Sequence, residues 1–162
     1  METINIISVT NPDEKAAIVR SVLADLPDWF GLPESTRAYV DDSRDLPLWA
    51  AMREGKAIGF ITRGQTSPHT AEIHCMGVRK NLHRQGIGQR LLCALEQSSA
   101  ADGYRLLQVK TVDEGHYPEY DRTVAFYQAM GFLRLEVFPK LWDPWNPCLM
   151  LDKALQPCPL SL

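Results

Sequence analysis

The stretch His83-Arg84-Gln85-Gly86-Ile87-Gly88 lies between a run of strand character, Thr70 to Arg79, and an amphipathic run, Gly86 to Ala101. Glycines at such a strand-to-helix passage let the backbone turn free N–H groups toward a ligand, and the start of the helix adds partial positive charge. A phosphate or pyrophosphate fits such a cradle with few basic side chains. Two other phosphate loops fail on the same residues. A Walker loop needs Gly-Lys-Ser or Gly-Lys-Thr, and a dinucleotide fingerprint needs a third glycine where Arg90 or Leu91 stands. The bland alternative is a glycine-rich helix start, so the decision rests on context.

Outward from this loop, Ile87, Leu91 and Leu95 fall on one helical face, while Gln89, Arg90, Glu96 and Gln97 can face water. Upstream, a short apolar strand from Ile4 to Val9 precedes Asn11-Pro12, an N-cap and first-turn pair with Asp13 and Glu14 at the positive helix end. That helix is expected to reach about Leu26, with a second from Glu34 to about Ser43. Strands Leu48–Arg53 and Lys56–Arg63 follow, joined at Glu54-Gly55, and Gly64, Ser67 and Pro68 read as a loop. After the amphipathic helix comes a strand, Arg105–Val112, with Leu107 and Val109 on one side. Pro118 opens a helix carrying Tyr120, Val124 and Tyr127, stopped at Gly131. Strands Leu133–Phe138 and Cys148–Asp152 close the series. The order β-α-α-β-β-β-α-β-α-β-β is that of a mixed α/β domain.

With 162 residues, 45% of them hydrophobic and 23% charged, the chain has room for one core-forming domain. We read residues 1–155 as that domain and 156–162 as a proline-rich tail. A net charge of -3 with no basic run argues against a nucleic-acid partner. No segment approaches the roughly 20 apolar residues of a membrane span, and no basic, apolar leader follows Met1. A cytoplasmic protein is expected. Cys75, Cys93, Cys148 and Cys158 lack C-x-x-C spacing and are expected as reduced thiols. His69, His74 and His83 show no metal-ligand spacing, so no metal is expected.

A second motif decides the context. Phe126-Tyr127-Gln128-Ala129-Met130-Gly131-Phe132 follows the glycine loop with a strand between them. Together the two resemble the GNAT superfamily of N-acetyltransferases, whose signature reads Gln/Arg-x-x-Gly-x-Gly/Ala and whose penultimate helix often ends in Phe/Leu-Tyr-x-x-x-Gly-Phe. His83 stands where the signature prefers Gln or Arg, and the family's Asn before the tyrosine has no match near Tyr120 and Asp121. The resemblance is firm over Glu72 to Phe132 and implies a mixed central sheet flanked by helices.

It further implies acetyl-coenzyme A as donor, with its pyrophosphate on the amides of Gln85, Gly86, Ile87, Gly88 and Gln89. Arg84 and His83 would flank it, and the pantetheine arm would lie near Met76, Gly77 and Val78. Transfer to an amine needs a neutral nitrogen, and free amines are protonated at neutral pH. Glu72 matches a position where several family members carry a general-base glutamate; His74, two residues on, and His116 are alternatives. Tyr127 is the matching proton donor to the departing thiolate. Each has a bland reading: Glu72 as a surface carboxylate, Tyr127 as a core aromatic. Trp29, Phe30, Trp142 and Trp145 are expected in loops beside the acceptor, where they can present aromatic faces to a cationic amine. The acceptor is a small-molecule or protein amine, and a homodimer is the family's habit.

Overall fold

In the computed structural model, which describes residues 3–156, Asn11 opens the first helix as its side chain predicts. Its Oδ1 accepts from the amides of Asp13 and Glu14 at 2.9 and 3.0 Å. The elements run β1 (Asn5–Val9), α1 (Pro12–Ala24), α2 (Pro33–Ser43), β2 (Leu48–Arg53), β3 (Lys56–Ser67), β4 (Thr70–Val78) and a single 3₁₀ turn at Lys80–Leu82. They continue with α3 (Ile87–Ala101), β5 (Leu106–Val112), α4 (Pro118–Ala129), β6 (Leu133–Phe138) and β7 (Cys148–Ala154). The expected order holds throughout, with the 3₁₀ turn added.

Several bounds differ. Gly64 and Ser67, read as loop residues, belong to β3, which runs on to Ser67 before a two-residue turn at Pro68 and His69. Neighbouring-strand pairing outweighs the poor strand preference of Gly and Ser there. Helix α1 ends at Ala24 rather than Leu26, β4 at Val78 rather than Arg79, and β7 extends two residues past Asp152. Of the expected tail, residues 157–162 lie outside the described residues.

Seven strands form one mixed sheet in the order β1-β2-β3-β4-β5-β7-β6. The pairs β1/β2, β2/β3, β5/β7 and β6/β7 are antiparallel. β4 and β5 run parallel, Thr70–Ile73 against Leu106–Val109. The β2/β3 hairpin turns on Glu54 and Gly55, with φ of 51° and 74°, the paired positive angles of a type I′ turn.

Packing divides the chain into two units, and β4 passes from one to the other. The first comprises residues through Gly64 and His74–Ser98. Its core brings Ala16, Val19, Val22 and Leu23 of α1 and Val40 of α2 onto Val9, Leu48, Ala50, Phe60 and Cys75 of the strands. Gly77 permits this approach: a Cβ there would come within 3.0 Å of Leu26 Cδ1 and 3.2 Å of Val22 Cγ1. The α3 residues Ile87, Leu91, Leu92 and Leu95 are fully buried, as the amphipathic pattern requires.

The second unit comprises Gln65–Ile73 and the residues from Ser99 onward. Leu107, Val109, Leu149 and Leu151 are buried on its strands, with Val124, Tyr127 and Phe132. Gly131 ends α4 as a left-handed cap at φ 94°. Its N–H donates to the Gln128 carbonyl at 3.1 Å, and the Phe132 N–H to the Tyr127 carbonyl at 3.0 Å. Lys153 Nζ donates to the Met130 carbonyl at 2.7 Å, where a cation meets the negative helix end.

Candidate functional site

The glycine loop lies wholly in the first unit. Arg84 and Gly86 both have left-handed backbones, φ 63° and 77°, and α3 begins at the next residue, Ile87. Arg84 is not a glycine, so its conformation costs on the order of 1–3 kcal/mol. Alternating left-handed residues turn successive N–H groups to one concave side. A Cβ on Gly86 would meet no atom within 4 Å, so the side that glycine leaves bare is open space. Arg84 and Arg90 are exposed, and neither side chain has a hydrogen-bond or ion-pair partner among the described residues. Two left-handed residues at a helix start, with an uncommitted guanidinium on Arg84, suit a pyrophosphate.

Upstream of the loop, His83 Nε2 lies 2.6 Å from the Val78 carbonyl oxygen. A carbonyl only accepts, so Nε2 carries the proton, and His83 ties the loop to the end of β4. The Trp29 ring meets His83 edge-on at 5.5 Å. Arg79 donates its backbone N–H to Ile58 O at 2.9 Å and its Nε to Ala57 O at 3.0 Å, anchoring the residue after β4. Trp29 and Phe30 are partly buried against the first unit's core, and Phe30 meets Tyr39 of α2 at 5.8 Å.

His74 makes a contact that the sequence gave no sign of. Its Nε2 stands 3.1 Å from Asp42 Oδ2, and the Tyr39 ring meets it edge-on at 5.5 Å. Asp42 and Tyr39 both belong to α2, so that helix sets the orientation of this imidazole. Asp28, just before Trp29, pairs with Lys80 at 3.1 Å.

Glu72 and Tyr127 belong to the second unit. Glu72 is no loose surface carboxylate: its side chain is 15% exposed, and its Oε2 accepts from Lys110 Nζ at 2.5 Å. Lys110 stands on β5 between buried Val109 and Thr111, and its side chain is 26% exposed. Among the described residues Lys110 is the one hydrogen-bonding partner of the Glu72 carboxylate, and that bond uses one of its two oxygens. Cys148, fully buried on β7, feels both charges. Burial pushes its thiol up to about 11; the Lys110 charge opposes this and the Glu72 charge adds to it. Cys75, buried in β4, is also pushed well up by burial. Neither thiol is a thiolate near neutral pH.

Tyr127 is 6% exposed, its ring 5.3 Å from Phe126 and 5.4 Å from Phe132. It satisfies the packing role read from the helix stripe. The Tyr120 phenol is held above its ordinary range, chiefly by burial and then by the Glu119 charge. Asp121, near the place of the family's missing Asn, accepts the Gly115 amide at 2.9 Å and so braces the loop before α4. Trp142 and Trp145 stand in the loop between β6 and β7, 44% and 72% exposed. Among the described residues no cluster of His, Cys, Asp or Glu is placed to hold a metal ion, and no helix is long and apolar enough to cross a membrane.

Sequence reasoning named Glu72 but missed Lys110. The strand alternation carries the signal: with Leu107 and Val109 buried, Gln108 and Lys110 must project from the other side of β5.

The chain matches the profile of the Acetyltransferase (GNAT) family over residues 17–132 and belongs to that family. No curated protein matches it. Solved structures share the fold at low identity. A GNAT-family protein from Desulfovibrio desulfuricans superposes with a TM-score of 0.85 at 18% identity, over 95% of this chain and 100% of that one. The ribosomal-protein-S18-alanine N-acetyltransferase of Escherichia coli gives 0.73 at 16%, covering 99% of each. A GNAT acetyltransferase of Elizabethkingia anophelis with acetyl-CoA bound gives 0.67 at 20%, over 94% of this chain and 98% of that one.

Proposed function

We propose that this protein is an acetyl-coenzyme A dependent N-acetyltransferase that transfers acetyl directly to a primary amine, through one domain spanning residues 1–155. The observation that carries the reading is the left-handed pair Arg84 and Gly86 opening onto α3, with open space beside Gly86. The donor supplies a thioester whose carbonyl carbon is the electrophile and whose sulfur is the leaving group.

The amides from Gln85 to Gln89 hold the pyrophosphate, Arg84 adds a charge-assisted contact, and His83 fixes the loop through Val78. Met76, Gly77 and Val78 accompany the pantetheine arm, and a strand amide there polarises the carbonyl. Glu72 accepts one proton from the substrate ammonium and passes it to water. As the nitrogen–carbon bond forms and the carbon–sulfur bond breaks, Tyr127 gives its phenol proton to sulfur. It regains a proton from the acylated nitrogen, so one proton is released per turnover. The protonated state of Cys75 and Cys148 supports attack without an acetyl-enzyme. Trp29, Phe30, His74 and Trp142 are assigned to the acceptor pocket, with a cationic amine over an aromatic face.

The test is a thiol-release assay with acetyl-CoA against spermidine, tyramine, free lysine, kanamycin and a lysine-containing peptide, beside calorimetry of donor binding. Saturable thiol release with an acetylated amine as product is expected. Donor binding without turnover across the panel would replace the enzyme with an acyl-CoA-binding sensor.

A further inference from the structure

Glu72 must do two things to serve as a base: keep a carboxylate in a largely buried place, and aim one oxygen outward. A carboxylate taken out of water is costly unless a charge or hydrogen bond compensates it. The compensation comes from one residue. Lys110 Nζ sits 2.5 Å from Glu72 Oε2, and no other residue described bonds that carboxylate. Cys148, near enough to feel both charges, is a protonated thiol and adds no second charge. The geometry is rigid as well as charged. Glu72 is on β4 and Lys110 on β5, two strands locked in parallel register from Thr70–Leu106 to Ile73–Val109.

From this arrangement we infer that Lys110 is a positioning residue for acetyl transfer. It holds the Glu72 carboxylate by Oε2 and leaves Oε1 to take the amine's proton. The inference rests on the assignment of Glu72 as base. It follows that Lys110 acts only through Glu72 and has no separate part in donor binding.

A kinetic double-mutant cycle tests this, with K110M, K110R, E72Q and K110M/E72Q assayed for thiol release on the best amine of the panel and with water alone as acceptor. K110M is expected to lower kcat by roughly 10- to 100-fold, the penalty for a misplaced catalytic group, with the KM for acetyl-CoA unchanged. K110R, which keeps a cation of similar reach, restores most of the rate. In the E72Q background, K110M costs nothing further, because its route of action is gone. A purely structural lysine would instead give multiplying losses in both backgrounds. Crystal structures of K110M and K110R supply a readout independent of any acceptor: the Glu72 carboxylate leaves its place in the first and keeps it in the second.

Wild-type kcat in K110M, losses that multiply, or a carboxylate unmoved in K110M each overturns the role of Lys110. The failure of the underlying assignment looks different. E72Q then retains full activity, whatever K110M does.

Discussion

Gly86 and Gly55 share a backbone state, and this makes a controlled experiment. Their φ angles are 77° and 74°, and a Cβ at either meets nothing within 4 Å. Alanine at each therefore incurs the same intrinsic penalty with no clash. A left-handed L-residue costs about 1–2 kcal/mol, and the loss of glycine's freedom in the unfolded chain returns about 0.4–1 kcal/mol. The net is about 1 kcal/mol, or a fall of about 2–4 °C in Tm for a chain of this length. The two variants part company in ligand binding. At Gly55, in the β2/β3 turn, the methyl faces solvent; at Gly86 it fills the concavity assigned to pyrophosphate. Calorimetry with acetyl-CoA is expected to show Gly86→Ala weaker by tenfold or more, at least 1.4 kcal/mol, and Gly55→Ala unchanged. Equal affinity in the two variants, with matched Tm, would refute the argument from the bare side of Gly86.

Tyr127→Phe keeps the ring between Phe126 and Phe132, so the fold and donor affinity are retained while kcat falls roughly 100-fold or more; steady-state kinetics beside calorimetry checks this. Glu72→Gln lowers the rate at pH 7 and recovers part of it at high pH, where the amine loses its proton unaided; a pH–rate profile of the same shape as wild type places the base elsewhere. Buried, protonated Cys75 and Cys148 resist iodoacetamide in the native protein at pH 8, whereas partly buried Cys93 labels, as peptide mass mapping would show. The Cys148 thiol is raised from its ordinary 9.0 to about 11, so its contribution to stability is full below about pH 9. It is lost as pH climbs through 11, because the unfolded chain ionises first; Cys148→Ser flattens that alkaline limb in denaturant titrations.

The order of elements was legible because its punctuation is local. Asn11-Pro12, Glu54-Gly55, Pro118 and Gly131 each act within a few residues, and each performs the cap or turn that its chemistry predicts. The glycine loop was legible for the same reason. The run from Gly64 to Ser67 was not, since pairing with a neighbouring strand decides it. The partners of the candidate site were hidden by distance in sequence: Lys110 stands 38 residues from Glu72, and Asp42 stands 32 from His74. Periodicity tells which side of a strand a residue takes, but the residue across the sheet depends on register. Aromatic residues in loops were hard to read for a different reason. Trp29 and Phe30 pack on the core of α1 and α2, while Trp145 stays largely exposed, and composition alone does not separate the two cases.

A crystal structure of the protein grown with acetyl-CoA is the decisive measurement. Pyrophosphate oxygens are expected within about 2.7–3.2 Å of backbone nitrogens between Gln85 and Gln89. A nucleotide seated elsewhere, with those nitrogens bonded inside the protein, would contradict the assignment of the glycine loop.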